Sequence, residues 1–325
     1  MTGAHQGTAT SRVEIARGFG AANLGNLHAA MSDEQAFAIL EAAWNGGIRY
    51  FDTAPHYGLG LSERRLGSFL RTKPRGEFVV STKVGRLIRP NPDWKGGPDD
   101  EGFDVPGSLR RQVDFSEEGI RASHAESLER LGLDRIDILF LHDPERTNLA
   151  WGLRDAIPAL RALRGEGSVD AVGVGSMSVD ALLASANAPG IDLLMVAGRY
   201  TLAEQPIAPE VLDACVANGI GIVNASVFNS GLLASDNPDA ISRYDYGEVP
   251  EDLLTRVRWI REICHHFDVP LPVAALHFAG LHESVRSVVI AGSKPQQITQ
   301  NLAWMQQPVP DGLWTALHEA GLVVA

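Results

Sequence analysis

The sequence predicts an α/β protein of the (β/α)8 TIM-barrel class, and three observations carry that expectation. Eight short apolar runs with strand character alternate with amphipathic helical stretches, which means parallel strands joined by crossover helices. The eight units occupy roughly 300 residues, the size of one such barrel. The two glycine-rich turns near strand ends both lack the third glycine of the dinucleotide fingerprint GxGxxG. Gly18-Phe19-Gly20 runs on into Ala21-Ala22-Asn23, and Gly173-Val174-Gly175 is incomplete too. That argues against the runner-up, an open doubly wound sheet. No linker divides the chain, so residues 1–325 read as one domain, with the polar stretch 1–12 (MTGAHQGTATSR) as a frayed tail that has no apolar signal core.

The first strand is placed at 16–20. Ser32 caps a helix whose face carries Ala36, Ile39, Leu40 and Ala43, and Gly46-Gly47 stops it. The second strand, 48–51, leads into the polar turn DTAPHYGLG. Ser62 reads as the cap of the following helix, with Leu66, Phe69 and Leu70 on its apolar side. A third strand at 78–83 ends in Lys83. Residues 85–112 are rich in Pro, Gly and Asp and read as a long irregular loop, a feature that is usually functional or mobile. Ser116 caps a helix carrying Ile120, Leu128 and Leu131. Strands at 136–141, 169–174, 191–196, 220–223 and 285–290 follow, separated by helices around Leu160, Leu182 and Leu212. A polar insert at 235–249 precedes a long helix with Leu253, Val257 and Ile260; helical segments at 273–281 and 296–305 flank the last strand.

Bulk properties narrow the function classes. The 325 residues are 45% apolar and 21% charged, a normal globular balance. A net charge of −12 gives a nucleic-acid or anionic-membrane partner little support. The two cysteines, Cys215 and Cys264, are far apart, which excludes a disulfide scaffold and a cysteine-based zinc site and fits a reducing cytoplasm. No run approaches the ~20 apolar residues of a membrane helix. The expectation is a cytoplasmic protein with a small-molecule substrate, either a monomer or a small homo-oligomer.

In a (β/α)8 barrel the active site lies at the carboxyl ends of the strands. Asp52 follows the second strand here, with Tyr57 in the loop beyond it; Lys83 follows the third and His142 the fourth. Each alone has a plain explanation: a capping aspartate, a packed tyrosine, a solvated lysine, a satisfied histidine. Three consecutive strands ending this way form a set with chemical sense. A phenol has a pKa of about 10, too high for a base at neutral pH. A nearby ammonium is expected to lower it. Tyr57 then moves the proton, Lys83 and Asp52 tune it, and His142 orients the substrate in general acid–base catalysis at a carbonyl or carbinol. There is no nucleophile with an adjacent base, no paired catalytic carboxylates and no metal-ligand spacing. His265-His266 reads as an exposed helix face rather than a metal site.

These residues sit in motifs that resemble the aldo-keto reductases: FDTAPHYGLGLSERRLG from Phe51, STK ending at Lys83, SLERLGLDRIDILFLHDPE from Ser127 and GSKPQQITQNL from Gly292. The resemblance spans nearly the whole chain. It implies a catalytic tetrad of Asp52, Tyr57, Lys83 and His142, and a nicotinamide dinucleotide held without a Rossmann motif.

The cofactor site is also legible from the barrel itself, because such folds bind phosphate near the last strands, at a helix N-terminus. Gly292, Ser293 and Lys294 meet a helix opening near Gln296, and their free N–H groups suit a phosphate; a capped turn with a solvated lysine is the other reading. The resemblance places Gln297, Gln300 and Asn301 at the adenosine end. Many NADP-using members have an arginine where Gln297 stands, and without that fork the choice between NAD and NADP leans to NAD. Gly175, Ser176 and Ala197 stand where the family often has Ser-Asn and Gln to grip the carboxamide, so Ser176 is retained as a contact and the grip must differ. Phe228 stands where an aromatic stacks on the nicotinamide, or else belongs to the core.

The segments around Ala197–Leu202 and Phe228–Leu233 are similar to the branch of aldose 1-dehydrogenases and pyridoxal 4-dehydrogenases. The substrates of that branch exist mainly as cyclic hemiacetals, and loss of hydride from the hemiacetal carbon gives a lactone. The resemblance therefore implies NAD(P)-dependent oxidation of an aldose at C1, or of pyridoxal. A general NADPH-dependent aldehyde or ketone reductase is the alternative, and a redox-sensing binding subunit with little turnover the remote one. Substrate specificity is expected on 85–112 and 235–249. His56, Trp94, Phe103, Tyr244 and Tyr246 are candidate pocket walls, with a turn-stabilising role for His56 as the other reading.

Overall fold

A computed structural model describes residues 17–240, 244 and 248–324. The expected tail at 1–12 and the candidate pocket residue Tyr246 lie outside them. Among the described residues there are ten strands: β1 (Arg17–Gly20), β2 (Tyr50–Asp52), β3 (Val79–Val84), β4 (Arg86–Pro90), β5 (Leu109–Val113), β6 (Ile138–His142), β7 (Ala171–Ser176), β8 (Leu193–Ala197), β9 (Gly221–Ala225) and β10 (Val285–Ile290). Eight close a parallel barrel in the order β1-β10-β9-β8-β7-β6-β3-β2. These are the eight strands that the apolar runs predict. They read as continuous apolar runs because both faces of a parallel barrel are covered. Tyr50, Ile138, Phe140, Leu193, Met195, Val223 and Val289 fill the lumen. A larger layer, including Phe51, Phe69, Leu139, Leu160, Leu182, Val257 and Ile298, packs the strands against the helices.

The principal helices are α1 (Asp33–Asn45), α2 (Leu61–Leu70), α3 (Glu117–Leu131), α4 (Leu149–Trp151), α5 (Ile157–Gly165), α6 (Val179–Ala186), α7 (Glu210–Asn218), α8 (Glu251–His266), α9 (Leu271–Phe278), α10 (Pro295–Trp304) and α11 (Asp311–Glu319). Ser32 closes a capping box with Gln35, and Ser116 accepts the Gly119 N–H at 3.1 Å, as expected of N-caps. Ser62 does not cap. The residue that enters α2 is Gly60, in the left-handed region at φ 85°, and Ser62 lies one residue inside the helix. Its buried hydroxyl donates to the Ala21 carbonyl at 2.7 Å and pairs with the Thr53 hydroxyl at 2.8 Å. Ser62 therefore ties the loop after β1 to the loop after β2.

The second correction concerns 85–112, which is not irregular throughout. It contains the antiparallel hairpin β4–β5, paired from Arg86↔Val113 to Pro90↔Leu109. The hairpin rises directly from the end of β3, separated from it by Gly85 alone. Among the described residues no helix is long and apolar enough to cross a membrane.

Candidate active site

Neighbouring strands β2, β3 and β6 end at one sector of the rim and deliver Asp52, Lys83 and His142 there. Register sets the geometry. Asp52 pairs with Ser81, and Lys83 lies two residues further along the same strand, so both side chains fall on one face. Lys83 Nζ donates to Asp52 Oδ2 at 2.7 Å and to the Thr53 carbonyl at 3.0 Å. Ser81 Oγ donates to Asp52 Oδ1 at 2.7 Å. The pair is almost fully enclosed, at 3% exposure for Asp52 and 2% for Lys83. Buried charges of this kind survive only when paired and hydrogen-bonded, and both carboxylate oxygens are satisfied here.

Tyr57 lies over this pair, with the ammonium 4.9 Å from its ring centroid. Its loop is held by a close backbone approach. A Cβ on Gly25 would come within 2.6 Å of the Tyr57 carbonyl carbon, and one on Gly58 (φ 61°) within 2.2 Å of the Gly25 carbonyl oxygen. Only glycine tolerates both the contact and the left-handed backbone. Gly25→Ala is expected to push the Tyr57 loop off Lys83 and lower turnover tenfold or more, at a stability loss of about 1–3 kcal/mol typical of overpacking. Steady-state kinetics beside a melting curve checks this: unchanged turnover would show that the loop has freedom to move.

Electrostatics corrects one expectation. Burial raises the Tyr57 phenol above its ordinary value; the Lys83 charge opposes that rise without reversing it, and Asp52 adds to it. The phenol is thus held protonated at neutral pH. Burial also works against the Lys83 ammonium, but Asp52 and Tyr57 outweigh it and its pKa is raised. Burial raises the Asp52 carboxyl, and Lys83 and Ser81 pull it back. Since its oxygens accept from an ammonium and a hydroxyl at 2.7 Å, we take the pair as ionic.

His142 lies with its ring centroid 6.0 Å from that of Tyr57, nearly perpendicular. Burial, Arg86 and Lys83 hold its pKa well below the usual value, so it is a neutral hydrogen-bonding group. Its Nε2 is 3.6 Å from Asp143 Oδ2, and its Nδ1 is sealed without a partner. His56, one residue before Tyr57, packs its ring 5.3 Å from His142 and 5.3 Å from Phe103. Phe103 is buried against the Tyr57 ring at 6.1 Å.

The remaining candidates fall in five places. Ser176, at the end of β7, donates to Glu145 Oε1 at 2.6 Å and accepts the Ser178 N–H at 2.8 Å, so its one hydroxyl proton is committed. Glu145 Oε2 is buried without a partner. Phe228 is half-buried just after β9. Gly292, Ser293 and Lys294 precede α10, but the N–H groups of Ser293 and Lys294 are not free: Gln297 Oε1 accepts from them at 2.8 and 3.2 Å and from Ser293 Oγ at 3.3 Å. Three donors converging on one oxygen at a helix N-terminus form an anion cradle, with a neutral carbonyl in the anion's place. These groups fit a dinucleotide along the rim. Gln300 is exposed, and Asn301 is buried and donates to the Ala291 carbonyl at 3.3 Å. Tyr244 hydrogen-bonds Glu204 Oε2, which also accepts from Asn229 at 2.9 Å. Trp94 is set apart at the hairpin end, 42% exposed, its indole donating to the Gly97 carbonyl.

Residue-by-residue reading of the sequence missed Arg86, Asp143, Arg111 and Asp99. Arg86 donates to Asp143 Oδ2 at 2.9 Å and to His56 Nδ1 at 3.2 Å. Arg111 makes a bidentate pair with Asp99 at 2.7 and 2.8 Å and donates to the His56 carbonyl at 2.8 Å. Asp143 directly follows His142 and was open to inspection. The two arginines come from the hairpin strands, and their partners became visible only with the fold.

A closed parallel barrel thus gathers an ion-paired lysine, a phenol and a neutral imidazole on one side of its carboxyl rim. The chain belongs to the Aldo/keto reductase family, whose profile matches residues 18–321. It is an oxidoreductase that works with NAD(P). It is 59% identical over 310 residues to D-threo-aldose 1-dehydrogenase of a Pseudomonas species, covering 95% of this chain and 94% of that one. It is 36% identical over 330 residues to pyridoxal 4-dehydrogenase of Microbacterium luteolum, covering 97% and 96%. An aldo-keto reductase of Bacillus halodurans in its holo form shares the fold at TM-score 0.71 and 23% identity, covering 93% and 91%.

Proposed function

We propose that this chain oxidises a cyclic hemiacetal to a lactone, with an aldose reacting at C1 as the first choice and pyridoxal as the second. The names of the two relatives support that substrate class. The observation that carries the chemistry is the buried Lys83–Asp52 pair at 2.7 Å with the Tyr57 ring 4.9 Å above the ammonium. A bound nicotinamide dinucleotide supplies the hydride acceptor. The protein supplies the rest. Tyr57 Oη takes the hydroxyl proton of the hemiacetal, Lys83 stabilises the phenolate needed for this, Asp52 fixes Lys83, and neutral His142 hydrogen-bonds the reacting oxygen. Ser293, Lys294, Gln297, Gln300 and Asn301 would hold the adenosine end, and Phe228, Ser176 and Glu145 the nicotinamide end. The neutral Gln297 carbonyl seated on the cradle, with no arginine fork there, supports NAD over NADP.

A spectrophotometric screen at 340 nm with NAD and NADP against aldoses, pyridoxal and simple aldehydes tests this reading, with the product identified as a lactone. Turnover confined to NADPH-driven reduction of open aldehydes would replace it with the general reductase.

The raised phenol pKa has a kinetic consequence. Oxidation needs the phenolate, whose fraction grows with pH below the pKa, so kcat/KM for oxidation should climb through pH 7–9. Reduction needs the protonated phenol and should stay flat across that window. Neither His142, held well below its usual value, nor His56, pushed down to about 2 by burial, Arg111 and Arg86, should add an inflection near pH 6.5. A full pH profile in both directions checks this, and a clear break near pH 6.5 would contradict it.

A further inference from the structure

His56 is clamped more tightly than a turn residue requires. Arg86 Nη1 lies 3.2 Å from its Nδ1 and Arg111 donates to its carbonyl at 2.8 Å, while each arginine is itself anchored, to Asp143 and Asp99. A guanidinium has five N–H donors and no acceptor. Nδ1 must therefore accept, and the proton of the neutral ring must sit on Nε2. Phe103 and His142 pack perpendicular to the ring at 5.3 Å and set its plane. Among the described residues nothing bonds Nε2, and it is not one of the sealed polar atoms, whereas His142 Nδ1 is. The result is an N–H donor of fixed tautomer and orientation on a largely buried ring, 8% exposed, whose centroid is 6.0 Å from that of Tyr57.

We propose that His56 recognises the hydroxyl on the substrate carbon next to the reacting one, and that Arg86 is its positioning residue. This rests on the hemiacetal reading above. Tyr57 and His142 are occupied with the oxygen at C1, so a donor on the residue beside Tyr57 serves the neighbouring oxygen. A simple aldehyde has no such hydroxyl, while an aldose does. Burial, Arg111 and Arg86 also keep the imidazole uncharged, so the donor does not change with pH in the working range.

The test compares an aldose with its 2-deoxy analogue. A site built to hydrogen-bond a hydroxyl discriminates strongly against the analogue that lacks it. The wild-type protein should favour the aldose in kcat/KM by about 10–100-fold. His56→Phe should bring the ratio close to one, chiefly by loss on the aldose. His56→Gln, which retains an N–H donor, should keep part of the ratio. Arg86→Met should lower the ratio through KM for the aldose, and Arg86→Lys, which can still donate to Nδ1, should restore part of it. Fluorescence titration with NAD shows that each variant retains its cofactor site. The inference is overturned if His56→Phe keeps the wild-type ratio, or loses both sugars equally. If the wild-type protein oxidises no sugar at all, the hemiacetal reading of aldoses falls and this inference falls with it.

Discussion

Tyr57→Phe is expected to lower turnover by about 10²–10⁴-fold, the range for removing a positioned general acid–base group. The substitution deletes one oxygen and leaves the ring, so the contacts with Phe103 at 6.1 Å and His142 at 6.0 Å persist. NAD binding should therefore survive, and the loss should appear in kcat rather than in cofactor affinity. The variant also separates two accounts of the buried lysine. If Lys83 acts only through Tyr57, the pH dependence of the residual oxidation should lose the climb expected above. Near-normal turnover in Tyr57→Phe would remove Tyr57 from proton transfer and leave His142 as the nearest neutral group able to take its place. A loss with weakened NAD binding would point to misfolding of the loop, which a melting curve would reveal.

The barrel was legible because its evidence is local. Each staff of the cylinder is an apolar run between turn signals, and eight such runs can be counted without knowing how they pair. The grouping of the candidate site residues was legible for the same reason: Asp52, Lys83 and His142 each mark the end of a run. What stayed hidden depends on two segments at once. Strand β5 reads Leu-Arg-Arg-Gln-Val, with no alternation strong enough to announce a strand, and it is ordered by pairing with β4. Hidden with it were Arg86 and Arg111, whose roles depend on facing His56. Ser62 fits the chemistry of a cap, and only the left-handed turn at Gly60 moved it one residue into the helix, where Ala21 claims its hydroxyl. The sign of the Tyr57 shift was missed because a sequence shows the ammonium but not the depth of burial that outweighs it.

Lys83→Met is the second large effect, and it should damage stability and activity by separable routes. Removing the ammonium leaves Asp52 almost fully buried with only Ser81 as side-chain donor. Breaking a buried pair by taking one partner typically costs about 3–5 kcal/mol, because the other charge is left uncompensated. The carboxyl then prefers its neutral form, and its folded pKa lies further above its unfolded value. A carboxyl with a raised folded pKa contributes stability that is present below the unfolded pKa and lost as pH rises through the folded one. The variant should therefore melt at progressively lower temperature from pH 5 to pH 8, more steeply than the wild-type protein. Asp52→Asn added to Lys83→Met removes the orphaned charge and should recover most of the lost stability. It should recover none of the activity, because the phenol still lacks its ammonium. Equal melting of the single and double variants at pH 8 would show that Asp52 carries no uncompensated charge in Lys83→Met. Regained turnover in the double variant would show that Lys83 serves the fold rather than Tyr57.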